Sequence, residues 1–143
     1  MIGFGERLRG YNIFMSANVL SPEDEIAKLL ALIGQPARIQ ILLGISSQEA
    51  CVCHLEAVTG MRQASISQHL MVLRKAGLVT PNRAGRNIYY RLVHAEILSI
   101  LEQSALLAGI SRARLDLLSR RPAAGCACPQ CSGLAQTPCC QSS

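Results

Sequence analysis

The stretch SSQEACVCHLEAVTGMRQASISQHLMVLRKAGLV, Ser46 to Val79, decides how the rest of this 143-residue chain is read. It divides into two short helical runs separated by Thr59, Gly60 and Met61. In the second run Ile66, Leu70 and Leu73 recur at helical spacing and leave Gln63, Ser67, Gln68 and Arg74 on other faces. Gly77 suits the left-handed residue that follows a last helical turn. Two short helices joined by a tight turn are the outline of a helix-turn-helix. Ser46 with Glu49 three residues later matches a capping box. That match starts the first helix near Ser46 and puts Cys51 and Cys53 in its first two turns. An ordinary helical hairpin with a solvated polar face has the same spacing.

Upstream, Ser21-Pro22-Glu23-Asp24 reads as a helix opening, with a capping serine, proline at the first position and acids near the positive end of the dipole. Ile26, Leu29, Leu30 and Ile33 form an apolar stripe. Gly34-Gln35-Pro36 breaks it, and a second short helix runs from Pro36 through Leu43. Downstream, LVTPNRAGRNIYYRLV predicts a two-stranded hairpin with a basic tip, Ile88, Tyr90 and Leu92 alternating with Tyr89 and Arg91. A hairpin after a helix-turn-helix is a wing. From His94 to about Ser119 the pattern is helical again, with more apolar surface than a small winged domain covers alone. A homodimer helix is expected, the alternative being a helix folded back on its own core. The fold class is therefore mainly α with a small β-hairpin: a dimeric winged helix-turn-helix over residues 21–119. A loosely ordered arm, residues 1–20, precedes it, and a Cys-rich flexible tail, residues 120–143, follows.

Charge sharpens this division. The net charge is +5, but residues 61–94 alone carry Arg62, Arg74, Lys75, Arg83, Arg86 and Arg91 with no acid. Clustered cations of this kind supply sequence-independent affinity for a phosphate backbone, so double-stranded DNA is the expected partner. Gln63, Ser65, Ser67, Gln68 and His69 offer amides, hydroxyls and an imidazole to base edges or phosphates, while Arg62, Arg83 and Arg86 hold the backbone. No apolar run approaches the roughly 18 to 20 residues needed to span a bilayer. The N-terminal MIGFGERLRGYNIFM lacks the apolar block of a secretory signal. A soluble cytoplasmic protein with no membrane partner is expected.

Seven cysteines are present, five of them in the last eighteen residues. A disulfide scaffold spreads its cysteines through a short secreted chain. Reduced thiols and soft-metal ligation are the better reading here, with Cys51, Cys53, Cys126, Cys128 and Cys131 as candidate ligands and Cys139 and Cys140 close behind. An all-sulfur site favours As(III), Cd(II), Pb(II) or Hg(II) over Mg or Mn. His54 is a further donor to consider, although an exposed helical histidine is the plainer expectation.

Together these residues resemble the ArsR/SmtB family of winged-helix metal-responsive repressors, over roughly residues 21–119. LLALIGQPARIQILLGI resembles the family's first two helices, and QASISQHLMVLRKAGLV its recognition helix. EACVCHL is similar to the Cys-Val-Cys box of its arsenic and cadmium/lead sensors. The resemblance implies a homodimer, not an enzyme, that represses its operator when metal-free and releases DNA when As(III), Cd(II) or Pb(II) binds as inducer. Enteric-type arsenic sensors carry another Cys three residues beyond the pair, where this chain has Glu56. Cadmium/lead sensors borrow thiols from an N-terminal arm, which here contains none. The tail thiols Cys126, Cys128 and Cys131, of the same subunit or of its partner, are the expected replacement.

Cys51 and Cys53, both in that first helix, stand about 200° apart around its axis, so ligation by both must bend or unwind it. Ligand and DNA would then favour different states of one element. A thiol-based redox or persulfide sensor of the same fold is the alternative. An oxidoreductase using Cys128-Pro129-Gln130-Cys131 would need that motif at a helix start in a βαβ setting, which the terminal tail does not offer.

Overall fold

A capping serine opens the first helix, as its sequence predicts. The Ser21 hydroxyl oxygen accepts the Asp24 peptide N–H at 3.3 Å and donates to Asp24 Oδ2 at 3.0 Å, and α1 runs Pro22–Ile33. A serine at this position stabilises a helix by about 1 kcal/mol. The computed structural model describes residues 21–120 and 125–132; the arm at 1–20, Cys139 and Cys140 lie outside them. Gly34 donates to the Leu30 carbonyl, the chain turns by 81°, and α2 follows as Pro36–Ile45. Ile41 to Ile45 are all buried.

The expected capping box at Ser46 does not form. Ser46 instead terminates α2 with φ +56° and ψ −148°, a conformation nearly restricted to glycine. The next residues extend into a short strand, β1 (Glu49–Cys51), and α3 starts only at Val52, spanning Val52–Thr59. Gly60 closes α3 in the left-handed region, and the Thr59 hydroxyl donates to the Leu55 carbonyl and accepts from the Met61 N–H. After the short turn, α4 runs Gln63–Lys75. It ends in a Schellman pair: Leu78 N–H to the Leu73 carbonyl and Gly77 N–H to that of Arg74, with Gly77 at φ +73°. Leu73 and Leu78, which accompany that motif, are both fully buried.

The wing is β2 (Val79–Ala84) and β3 (Asn87–Leu92), closed at Ala84 opposite Asn87 around Gly85 and Arg86. It is not a lone hairpin. β1 pairs antiparallel with the other edge of β3, giving the order β1-β3-β2 with Cys51 opposite Tyr89. Successive residues point to opposite faces, so Ala50 and Tyr90 reach the main core while Cys51 and Tyr89 face the other side. The main core joins Ile41, Leu42 and Ile45 of α2 to Leu55 of α3, Ile66, Leu70 and Leu73 of α4, and Ile97 and Leu101.

The last long helix is shorter than its periodicity suggests. α5 spans Glu96–Leu107 and stops at a second Schellman pair, Ile110 N–H to the Ala105 carbonyl and Gly109 N–H to that of Leu106. A short α6 (Arg112–Asp116) follows, tied back by Arg112 on both carboxylate oxygens of Glu102. Part of the tail is also ordered: Gly125 to Ser132 includes a turn of helix, α7 (Pro129–Ser132), with Cys126 and Cys128 buried. No single helix among the described residues is long and apolar enough to cross a membrane.

The strained Ser46 backbone yields a direct expectation. Ser46→Gly raises stability by about 1 kcal/mol, because relief of a cost of about 1–3 kcal/mol exceeds the entropic penalty of an added glycine. A shift of the urea midpoint to higher concentration at unchanged slope is the expected readout; no shift means that the site is relaxed as it stands.

Candidate metal centre and nucleic-acid interface

Cys51 occupies a junction. It is the last residue of β1 and the N-cap of α3, with φ −83° and ψ 167°, and its Sγ accepts the His54 peptide N–H at 3.3 Å. It is therefore not inside the helix, and the requirement that ligation unwind α3 does not hold. A sulfur already directed off the helix end can meet an ion while α3 stays regular.

The tail brings the other sulfurs to this junction. Cys51 and Tyr89 from the sheet and Cys126 and Cys128 from the tail form a second buried cluster, with Cys53, Val58 and Cys131 packed at its margin. Sγ of Cys51 lies 3.9 Å from Sγ of Cys126. The Cys131 N–H donates to the Cys128 carbonyl at 3.0 Å, folding the Cys-Pro-Gln-Cys segment back on itself. His54 Nδ1 then lies 3.3 Å from Cys131 Sγ. Two sets of donors result, each with its ligand atoms within 4.8 Å of one another: Cys51, Cys126 and Cys128, and His54, Cys126 and Cys131.

Cys53 stands apart from both sets. It is disulfide-bonded, so in this form its sulfur is not a thiolate donor, contrary to the reduced pair expected from the sequence. The free thiols among the described residues are Cys51, Cys126, Cys128 and Cys131. Burial pushes the Cys126 thiol well above the usual thiol range. The backbone of Cys128 opposes that shift, while the side chain of Cys128 and the charge of Cys51 add to it. Cys126 is thus a protonated thiol near neutral pH, and a cation that binds it must displace the proton.

The polar and basic residues read as a DNA face are distributed over two elements. On α4, Ser67 and Gln68 are exposed, while Gln63, Ser65 and His69 are half-buried. Arg62 is the N-cap residue of α4, exposed and without a side-chain cap bond. Arg83 and Arg86 stand exposed at the wing tip, and Arg74, Lys75 and Arg91 are exposed as well.

A family model described as "Bacterial regulatory protein, arsR family" matches residues 35–80. The "HTH-type transcriptional regulator NmtR" of Mycobacterium tuberculosis is 33% identical over 101 residues, which are 71% of this chain and 82% of that protein. The chain belongs to the arsR family. A second relative, "Transcriptional repressor SmtB homolog" of Synechocystis, is 29% identical over 86 residues, 60% of this chain and 65% of that protein. Among solved structures, the transcriptional repressor BigR from Xylella fastidiosa superposes with a TM-score of 0.56 at 30% identity, over 59% of this chain and 87% of that one. Relatives named as regulators and repressors put this arsR-family chain among winged-helix regulators rather than enzymes.

Within this arsR-family fold, two site features escape a reading of the sequence. His54 is only 1% exposed rather than lying on a solvated helix face. Tyr89, on the face of the wing opposite Tyr90, roofs the sulfur cluster at 3% exposure. A period-two pattern marks Tyr89 as outward; only the pairing of β1 with β3 and the returning tail reveal that this side is covered too.

The packing predicts protection. In the full chain under mild reductant, alkylation of Cys51 is at least about tenfold slower than in a chain cut after Arg121, since reagent reaches a thiol only when its cover opens. Peptide mass mapping of the labelled residue reads this directly. Equal rates would mean that the tail does not cover Cys51.

Proposed function

We propose that this protein is a DNA-binding transcriptional repressor that releases its operator when a thiophilic metal or metalloid, of the As(III), Cd(II) or Pb(II) class, binds Cys51, Cys126 and Cys128, with Cys131 beside them. The observation that carries this reading is the set of three buried thiols within 4.8 Å at the start of α3. Three thiolates suit trigonal arsenite: each thiol hydrogen leaves with one hydroxyl of arsenous acid, and three waters depart as three S–As bonds form. α4 would read bases with Ser67, Gln68 and the half-buried Gln63, Ser65 and His69. Arg62, Arg83 and Arg86 would meet phosphates.

Coupling follows from adjacency. α3 packs on α4 through Leu55, Ile66 and Leu70 in one buried cluster, and Cys51 both caps α3 and binds the ligand. Drawing its sulfur onto an ion shifts the first turn of α3 and the end of β1 together. By linkage, the operator weakens the ligand by the same factor as the ligand weakens the operator. A homodimer formed through α1 and α5 would cover Leu30, Leu106 and Leu107, which are 47%, 61% and 92% exposed.

A second reading, a thiol redox sensor on the same fold, is favoured by the disulfide at Cys53 and by the 3.9 Å separation of Cys51 and Cys126. Peroxide would oxidise that pair, taking two electrons and two protons to leave a disulfide and two waters.

Promoter DNA titrated at fixed salt and read by fluorescence anisotropy tests both. Saturating arsenite or cadmium weakens binding roughly 10- to 100-fold, and Cys51→Ser or truncation after Arg121 abolishes the response. Mass spectrometry after arsenite, cadmium or peroxide separates metal adducts from loss of two hydrogens. Release by peroxide alone, with no metal adduct, overturns the metal reading in favour of the redox one.

The proton balance gives a further check. Arsenite removes the thiol hydrogens as water, so its affinity changes little around neutral pH. Cadmium expels protons from thiols such as Cys126, so its affinity rises roughly tenfold per pH unit for each proton displaced. Isothermal titration in two buffers of different ionisation enthalpy counts those protons.

A further inference from the structure

The second donor set is not needed by the trigonal site, and its chemistry is different. We propose that His54, Cys126 and Cys131 form a distinct site for a divalent ion of borderline softness, of the zinc(II) class, and that it excludes the metalloid because Cys126 belongs to both sets. This rests on the metal-binding reading above only in sharing that one sulfur.

Three observations lead there. First, the donors are a nitrogen and two sulfurs, the mixture that suits Zn(II) and Co(II), whereas As(III) takes three thiolates. Second, the spacing fits. A thiolate and an imidazole nitrogen held tetrahedrally at about 2.3 and 2.0 Å from an ion stand about 3.5 Å apart, and two thiolates about 3.8 Å apart. His54 Nδ1 and Cys131 Sγ are 3.3 Å apart, and all three donor atoms fall within 4.8 Å, so closure needs a movement of about an ångström. Third, His54 is 1% exposed, and sinking an imidazole into a core costs free energy unless its polar atoms are engaged. Its ring is directed at a tail thiol, not at water.

His54 also sits between the two sets. Its peptide N–H donates to Cys51 Sγ while its ring nitrogen approaches Cys131 Sγ. A divalent ion would bond the ring, one proton leaving each of Cys126 and Cys131, with solvent completing a fourth position. Arsenite would instead take Cys126 toward Cys51 and Cys128. One sulfur cannot serve both at full strength, so the two ligands compete without occupying the same site.

Cobalt(II) is the probe, added to full-length, reduced, metal-free protein. The visible bands of tetrahedral cobalt with sulfur ligands should appear at one ion per chain, and arsenite should bleach them one for one. Cys131→Ser should weaken cobalt at least tenfold and change arsenite affinity by far less, since Cys131 is not one of the three thiols that bond arsenic. Cys51→Ser should weaken arsenite at least tenfold and keep the cobalt bands. His54→Asn should behave like Cys131→Ser; if it fails to fold, the half-buried Cys131 variant decides alone. Cobalt and arsenite bound together, or full cobalt bands in Cys131→Ser, overturns the proposal. Operator release is scored separately: competition without release sinks the repressor mechanism and leaves this site standing.

Discussion

A single hydrogen bond, from the His54 peptide N–H to the sulfur of Cys51, marks where extended backbone gives way to helix, and the geometry of the site follows from that place. Were α3 to start a turn earlier, Cys51 would point around the helix and β1 would not exist. Because it starts at Val52, the residues before it are free to pair with β3, which puts Cys51 opposite Tyr89. The tail then has a shallow apolar surface to settle on, and thiols are among the side chains most content to be buried there. Capping, strand pairing and sulfur chemistry thus meet in one residue.

That burial has two faces. As packing, Cys126 and Cys128 act as small apolar groups under Tyr89, and desolvation keeps Cys126 protonated. As the proposed ligands they would be poised, because a soft ion repays that desolvation with bonds that water cannot match. Among the described tail residues, Cys126 and Cys128 make the buried contact with the sheet, so the sulfurs proposed to bind the ligand are also the ones packed against the domain.

Much of the fold was legible because its signals are local. Ser21-Pro22, the break at Gly34 to Pro36, the turn at Gly60 and the stop at Gly77 each appear where the residue chemistry puts them. The errors have equally physical origins. Ala108-Gly109-Ile110 repeats the Ala76-Gly77-Leu78 stop almost letter for letter, yet apolar periodicity continuing through Leu115 and Leu118 masked it. Ser46 and Glu49 satisfy a capping box by spacing, but the chain spends those residues on a strand whose partner lies some forty positions away, a non-local pairing that no window of sequence contains. The same non-locality hid His54 and Tyr89: each is covered by residues more than thirty positions downstream. Composition argues for reduced cysteines, which holds at Cys51, Cys126, Cys128 and Cys131 and fails at Cys53, which is bonded.

The central position of β3 bears on how this molecule can move. A two-stranded wing flexes about its base like a loose flap. Here the strand nearest the turn's return is clasped along both edges, and Asn82 of β2 reaches Glu49 of β1 at 2.8 Å across it. Wing, thiol junction and the root of α3 are therefore welded into one rigid plate, so tilting any corner of it tilts the basic tip by leverage.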